Sequence, residues 1–279
     1  MPTISASVGQ GGVNRRDDVL LVQQLLVARG YTAIGTPSGT CDAKTIAALR
    51  EYQSGFLSSP DGRVDPGGNT WRHLAASFGP PLPAVPGPSP APAPAAGADL
   101  LRPVPRPDPA TLNAGLTSAG NSFMLSALGT PLVAGGYSSL CQMPTLPKLR
   151  RNLVTDTVGP FRVTGLVPAV LSLKAVMADI RAEQPAAYAV LGTAGMLCCR
   201  LVRGSATAIS NHSWGTAIDL TLNGVLDVQG DDKVQYGLTL IAPLFNRHGW
   251  FWGAAFGVED AMHFEAGKGL VSQWAAALP

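Results

Sequence analysis

Charge of either sign is scarce in this chain. Only 14% of its 279 residues are charged, and Lys+Arg 20 against Asp+Glu 18 leaves a net +2. A balance so close to zero, with no run of Lys or Arg, excludes the basic stripe of a nucleic-acid binder. Long apolar stretches are missing as well. No run reaches 18 apolar residues, so no membrane span is expected. Four cysteines are too few for a disulfide scaffold. Reduced thiols are the expectation, and the apolar flanks of the adjacent Cys198 and Cys199 suit buried, inert ones. The opening MPTISASVGQGGVNRRDD has no basic start followed by an apolar stretch and a small-residue cleavage site. No signal peptide is therefore expected, and a target outside the cytoplasm would need another means of delivery. A hydrophobic content of 46% argues against general disorder.

Glycine and proline are what the chain has in quantity, at 32 and 24. Twelve of the prolines lie between Gly79 and Ala110, in PSPAPAPAAGA and RPVPRPDP. Each removes a backbone donor and fixes φ, which rules out helix and sheet interior. The segment 79–110 is expected to be an extended spacer between two modules, spanning up to roughly 90 Å at ~3.1 Å per residue.

The expected first module is 1–78. Asp17 or Asp18 can cap a helix whose apolar Val19, Val22, Leu25 and Leu26 follow the 3.6 period, with Gly30 as its stop. Asp42 is a plausible cap for a second helix through Thr45, Ile46, Leu49 and Tyr52. PDGRVDPGGNTW is turn chemistry, and TWRHLAASF suggests a short last helix. The result is a small all-α, three-helix domain without an acid–base or metal cluster.

The second module, 111–279, mixes helices and strands without regular βαβ alternation, which argues α+β. A helix over 172–191 is broken near Pro185, and GMLCCRLVRG reads as an apolar strand. GTAIDLTLNG alternates as a strand ending in an Asn-Gly turn. A helix then ends near Arg247–Gly249, and AMHFEA follows as another strand.

The chemistry concentrates in SNHSWGTAID, 210–219, and DAMHFE, 260–265. On a strand Ala217, Asp219 and Thr221 share one face, opposite Ile218 and Leu220. The same alternation puts His263 with Glu265 and Met262 with Phe264. Two imidazoles and a carboxylate on short rigid strands suit Zn²⁺, and three protein ligands leave a fourth position for water.

These residues carry two resemblances. DVLLVQQLL, TIAALREYQ and DGRVDPGGNTWRHL resemble the peptidoglycan-binding type 1 module, a three-helix domain that docks on bacterial cell wall. S-x-H-x-x-G-x-A-x-D followed by D-x-x-H-x-E resembles the metallopeptidases that include D-alanyl-D-alanine carboxypeptidases, VanY-type enzymes and phage L-alanyl-D-glutamate endopeptidases. The second resemblance implies His212, Asp219 and His263 as zinc ligands and Asp260 as general base and acid. It implies Glu265 behind a ligand imidazole and an Arg at the scissile carbonyl oxygen, for which Arg203 is the candidate with Arg200 behind it. Ser210 would touch substrate or bond the loop.

Together the two modules imply a zinc-dependent hydrolase acting on peptidoglycan stem peptides, monomeric, with bacterial wall as its partner. A phage-type endolysin released through a holin and an antibacterial effector exported by secretion machinery, with an immunity protein, are both consistent. Either is made in the cytoplasm and acts in the periplasm or wall. The alternative is a wall-binding protein whose peptidase half is inactive. His248 is expected to close a helix C-terminus, His73 to lie at the surface, and Trp250 and Trp252 to be core. No G-x-S-x-G elbow supports a serine hydrolase.

Overall fold

The computed structural model describes residues 4–27, 29, 31–76 and 99–278. The expected helix stop at Gly30 and the spacer over 79–98 lie outside the described residues. Contacts divide the chain into two units, essentially 1–80 and 81–275.

In the first unit, strand β1 (Val8–Gly9) precedes helix α1 (Arg16–Val27). Helix α2 (Ala43–Ser54), strand β2 (Arg63–Val64) and helix α3 (Asn69–Ala76) follow. Val19, Val22, Leu25 and Leu26 are all fully buried against Leu49 and Leu74 of the same core, as the helical period requires. Asp42 caps α2, its carboxylate accepting from Thr45 N at 2.8 Å. Asp18 does something other than cap. It lies within the first turn of α1 and takes hydrogen bonds from Ser5 N, Ser5 Oγ and Ala6 N, tying the preceding segment to the helix. Two buried glutamines hold the loops. Gln23 reaches Thr40 O and Thr45 Oγ1 while accepting from Ser38 N and Gly39 N. Gln53 reaches Asp61, Arg63 O and Thr70 while accepting from Gly62 N. Each buried amide is thus paired at both ends, which is the condition for tolerating it in a core.

The second unit opens with strand β3 (Pro103–Pro105) and then helices α4 (Asn121–Leu128) and α5 (Pro147–Arg151). A hairpin of β4 (Leu153–Thr157) and β5 (Arg162–Leu166) leads into α6 (Val167–Glu183). Then come α7 (Pro185–Val190), β6 (Leu191–Gly195), β7 (Ala217–Leu222) and β8 (Lys233–Gln235). Helix α8 (Tyr236–Arg247), β9 (Trp250–Trp252), β10 (His263–Ala266) and α9 (Lys268–Ala277) complete it. The central sheet is antiparallel, in the order β6-β7-β10-β9. One face buries Ile218, Leu220, Leu222, Phe264 and Trp252, with Phe264 stacked on Phe245 of α8 at 4.1 Å. The other face carries Asp219, His263 and Glu265.

Three expectations change. The spacer's tail is part of this unit, because β3 pairs with β8 from Pro103–Gln235 to Pro105–Lys233. Prolines are tolerated there because β3 is an edge of a two-stranded sheet. The apolar strand sits earlier than GMLCCRLVRG: β6 ends at Gly195, and beyond it this stretch forms single bridges among the described residues, Gln142 with Cys199 and Leu201 with Ile209. The thiols are not all reduced, since Cys141 and Cys198 form a disulfide, with Cα atoms 4.9 Å apart. Gln142 and Cys199 exchange backbone hydrogen bonds of 3.1 and 2.9 Å, which brings the two segments into register. Neighbouring side chains on extended backbone point opposite ways, so Cys198 meets Cys141 while Cys199 is buried against Ser213 O. Burial pushes the Cys199 thiol up to about 11, as an inert thiol requires.

Other expectations match. The helix over 172–191 is broken at Pro185, between α6 and α7. Asn223 and Gly224 both have positive φ, 51° and 76°, as a two-residue hairpin turn demands. His248 closes α8, and its Nε2 meets Asp179 Oδ2 at 2.8 Å. Trp250 and Trp252 are buried, and His73 is an exposed residue stacked on Phe56.

Candidate functional site

His212 stands on a single 3₁₀ turn, Asn211–Trp214. Gly215 ends that turn at φ 64°, and a Cβ there would lie 2.8 Å from Gly165 Cα and Leu166 N. Only glycine satisfies both the left-handed backbone and that approach. Trp214 anchors the turn from below, its Nε1 donating to Gly129 O at 2.8 Å. Asp219 of β7 lies directly across the ladder from His263 of β10. Asp260 begins a turn in which His263 N donates to Asp260 O at 3.1 Å. The three-residue spacing of D-x-x-H is therefore the span of one turn feeding a strand.

Three donor atoms converge. His212 Nε2 lies 3.2 Å from Asp219 Oδ1 and 3.2 Å from His263 Nδ1, and the last two are 3.1 Å apart. Donors that share one tetrahedral ion at ~2.0–2.1 Å are about 3.3 Å apart. The outer hydrogen bonds set the tautomers. His212 Nδ1 lies 2.8 Å from Met196 O, which can only accept, so its proton sits there and Nε2 presents a lone pair. His263 Nε2 lies 3.2 Å from Glu265 Oε2, which in the neutral ring leaves Nδ1 bare toward the site. Glu265 is itself held by Ser118 Oγ at 2.7 Å and Asn211 Nδ2 at 2.8 Å. Two lone pairs and a carboxylate oxygen aimed at one point repel unless a cation sits among them. This donor set fits a divalent metal ion, and it is the single such cluster among the described residues.

Electrostatics agree. With no metal among these donors, burial works against the Asp219 charge, yet hydrogen bonding and charge at His212 and His263 outweigh it and hold the carboxyl well below the usual range. Burial likewise disfavours an imidazolium at His263, but hydrogen bonds to Asp219 and Glu265 raise it to about 10. A proton thus takes the place of positive charge when no metal does. Asp260 moves the other way. Burial raises its pKa and the Asp219 charge adds to this, while His263, His212 and Arg203 oppose it. Its Oδ2 accepts from Gln229 Nε2 at 3.2 Å, and its Oδ1 is buried without a partner among the described residues.

The site opens into a cleft of about 610 Å³ whose lining includes Arg200, Arg203, Ser210, Phe256 and Val258. It contains every residue expected from the sequence.

Two family models match the chain. Residues 203–266 match the model described as D-alanyl-D-alanine carboxypeptidase. Residues 15–74 match that of a peptidoglycan binding domain. The segment 203–266 is thus a metallopeptidase domain of the D-alanyl-D-alanine carboxypeptidase family. The segment 15–74 is a peptidoglycan-binding domain. No curated protein and no solved structure matches the chain.

The peptidase match spans Ser210, His212, Asp219, Asp260, His263 and Glu265 and begins at Arg203. Arg203 is exposed and reaches Asp260 through its charge, whereas Arg200 Nη1 donates to Leu201 O at 3.1 Å. Ser210 is buried at the start of the His212 turn, where its backbone bonds Arg200 O and accepts from Ser213 N. Sequence reasoning missed the peptidase's outer partners, Met196, Ser118 and Asn211, and the contact of Gln229 with Asp260. Met196 acts through its carbonyl, which no side-chain motif reveals. Ser118 lies 147 positions from the carboxylate it bonds.

Proposed function

We propose that the protein is a zinc-dependent peptidoglycan hydrolase that cleaves stem peptides, as a D,D-carboxypeptidase or an L-alanyl-D-glutamate endopeptidase. The observation that carries this is the convergence of three lone-pair donors whose tautomers are set from outside. His212, Asp219 and His263 would hold the ion, and the nitrogen-rich donor set favours zinc over harder cations. When bound, such an ion supplies Lewis acidity, making water nucleophilic near neutral pH and polarising a carbonyl.

The chain's own groups do the rest. Asp260, a turn away from His263 and lining the same cleft, takes the proton of the attacking water and returns it to the leaving amine. Arg203 or Arg200 stabilises the oxyanion. Glu265 keeps the His263 ring in place through the proton on its Nε2. Ser210 contributes to the cleft wall. The binding domain holds the enzyme on its polymeric substrate, whether delivered by phage-type lysis or by export as an antibacterial effector with its own immunity protein.

The test combines elemental analysis with mass spectrometry of defined muropeptides. One zinc per chain and hydrolysis abolished by a chelator and restored by zinc are expected. His212→Ala and Asp260→Ala should both be inactive. Release of free alanine identifies the carboxypeptidase, and separation of L-alanine from D-glutamate the endopeptidase. Intact muropeptides after incubation with the zinc-loaded protein would leave only the wall-binding reading.

A further inference from the structure

The loop between β7 and β8 supplies a group that touches Asp260. Gln229 Nε2 donates to Asp260 Oδ2 at 3.2 Å. Gln229 itself is exposed, and an exposed amide contact would ordinarily be incidental. This loop, however, is tied on both sides of it. Glu259, only 1% exposed, accepts from Gly230 N through Oε1 at 2.9 Å and from Asp232 N through Oε2 at 3.1 Å. Its backbone carbonyl also accepts from Gly230 N at 3.1 Å. On the other side Asp227 Oδ1 accepts from Gln235 N at 2.7 Å. Asp232 is bound in turn by Arg106, through its backbone at 3.0 Å and its guanidinium at 3.3 Å. Glu259 and Asp260 are consecutive, so the residue that clamps the loop and the residue that Gln229 touches are joined by one peptide bond.

We infer that Gln229 is a positioning residue for Asp260, an inference that rests on the general-base reading of Asp260. A carboxylate that carries a proton between two partners needs one oxygen for the traffic and a fixed plane. The amide of Gln229 occupies Oδ2 and fixes the plane. Oδ1, buried and without a partner among the described residues, is left to take the water proton as the C–O bond forms. The same oxygen gives that proton to the nitrogen as the C–N bond breaks. Glu259 serves by holding the loop at the distance this requires.

The experiment uses the full-length, zinc-loaded protein and a soluble muropeptide. Gln229→Met keeps the length of the side chain and removes the donor. It should lower kcat about 10-fold and leave KM within about 2-fold, because the contact acts on the reacting carboxylate rather than on substrate binding. Zinc content and Tm should not change. Gln229→Lys restores a donor of similar reach and should recover most of kcat. In an Asp260→Asn background, Gln229→Met should have no further effect. Wild-type kcat in Gln229→Met, or equal loss in the Met and Lys variants, overturns the inference. Persistent hydrolysis in Asp260→Asn alone would instead remove the general-base reading beneath it. An inactive Asp260→Asn beside an unimpaired Gln229→Met would remove the positioning role only.

Discussion

Single atoms decide much at this site. Gly215 has no side chain, yet it sets where His212 stands. An alanine there would have to hold φ near 64° and place a Cβ 2.8 Å from backbone on β5. Strain of this kind costs about 1–3 kcal/mol, and steric displacement adds to it. Gly215→Ala should therefore lower Tm by several degrees and lose bound metal together, since the turn that moves carries a ligand. A variant that keeps full metal content in elemental analysis would contradict this. Asp227 makes the opposite case, a residue whose charge is a liability. It is 8% exposed, and one of its oxygens lacks a partner among the described residues. Burial raises it to about 6, opposed by the Gln235 amide and reinforced by Glu259, Asp231 and Asp260. A carboxyl raised in the folded state binds its proton there more tightly than in the unfolded chain. Its contribution is thus fully present below about pH 4 and is lost as pH rises through about 6. Asp227→Asn should raise stability above pH 6 by about 1–2 kcal/mol and give nothing at pH 4. Thermal melts at the two pH values check it, and an equal gain at both would refute the linkage.

At the level of elements, legibility follows the range of the forces. The amphipathic stripe of α1, the break at Pro185 and the Asn223-Gly224 turn are set by neighbours a few residues away, and each could be read directly. So could the ligand faces of β7 and β10, because strand alternation alone puts Asp219 on one side and Phe264 on the other. The stretch from Gly195 to Gly204 could not. Its apolar run is satisfied by two unrelated partners, the segment around Gln142 and that around Ile209, rather than by a strand. The Cys141–Cys198 pairing has the same origin, with 57 positions of sequence between the partners and no local signal. A consequence can be counted. Thiol titration of the unfolded, unreduced protein should find two cysteines, Cys41 and Cys199, and four after reduction. Four before reduction would show that the bridge does not form.

For the whole molecule, composition exposed two modules and a proline-rich stretch, but composition cannot say where a spacer ends. Prolines at 103 and 105 look like linker, yet β3 pairs with β8 across them. Just beyond, Arg106 bonds Asp232 and donates to Phe256 O at 2.6 Å, and Phe256 lines the cleft. The catalytic unit therefore needs residues before 111. A fragment 99–279 should match the full chain on soluble muropeptides, whereas a fragment 111–279 should be less stable and less active on them. It lacks the strand beside β8 and the guanidinium that ties the β7–β8 loop to the cleft wall. On insoluble walls the order of importance shifts. The binding domain turns each encounter into a tethered search, and such coupling is worth ~10²–10⁴ in avidity where geometry permits. The 99–279 fragment should then lag the full chain by about 10-fold or more on sedimented walls at low enzyme concentration, while residues 1–78 alone still co-sediment with them. Equal rates of wall clearance by the fragment and the full chain would mean that the binding domain contributes nothing to hydrolysis.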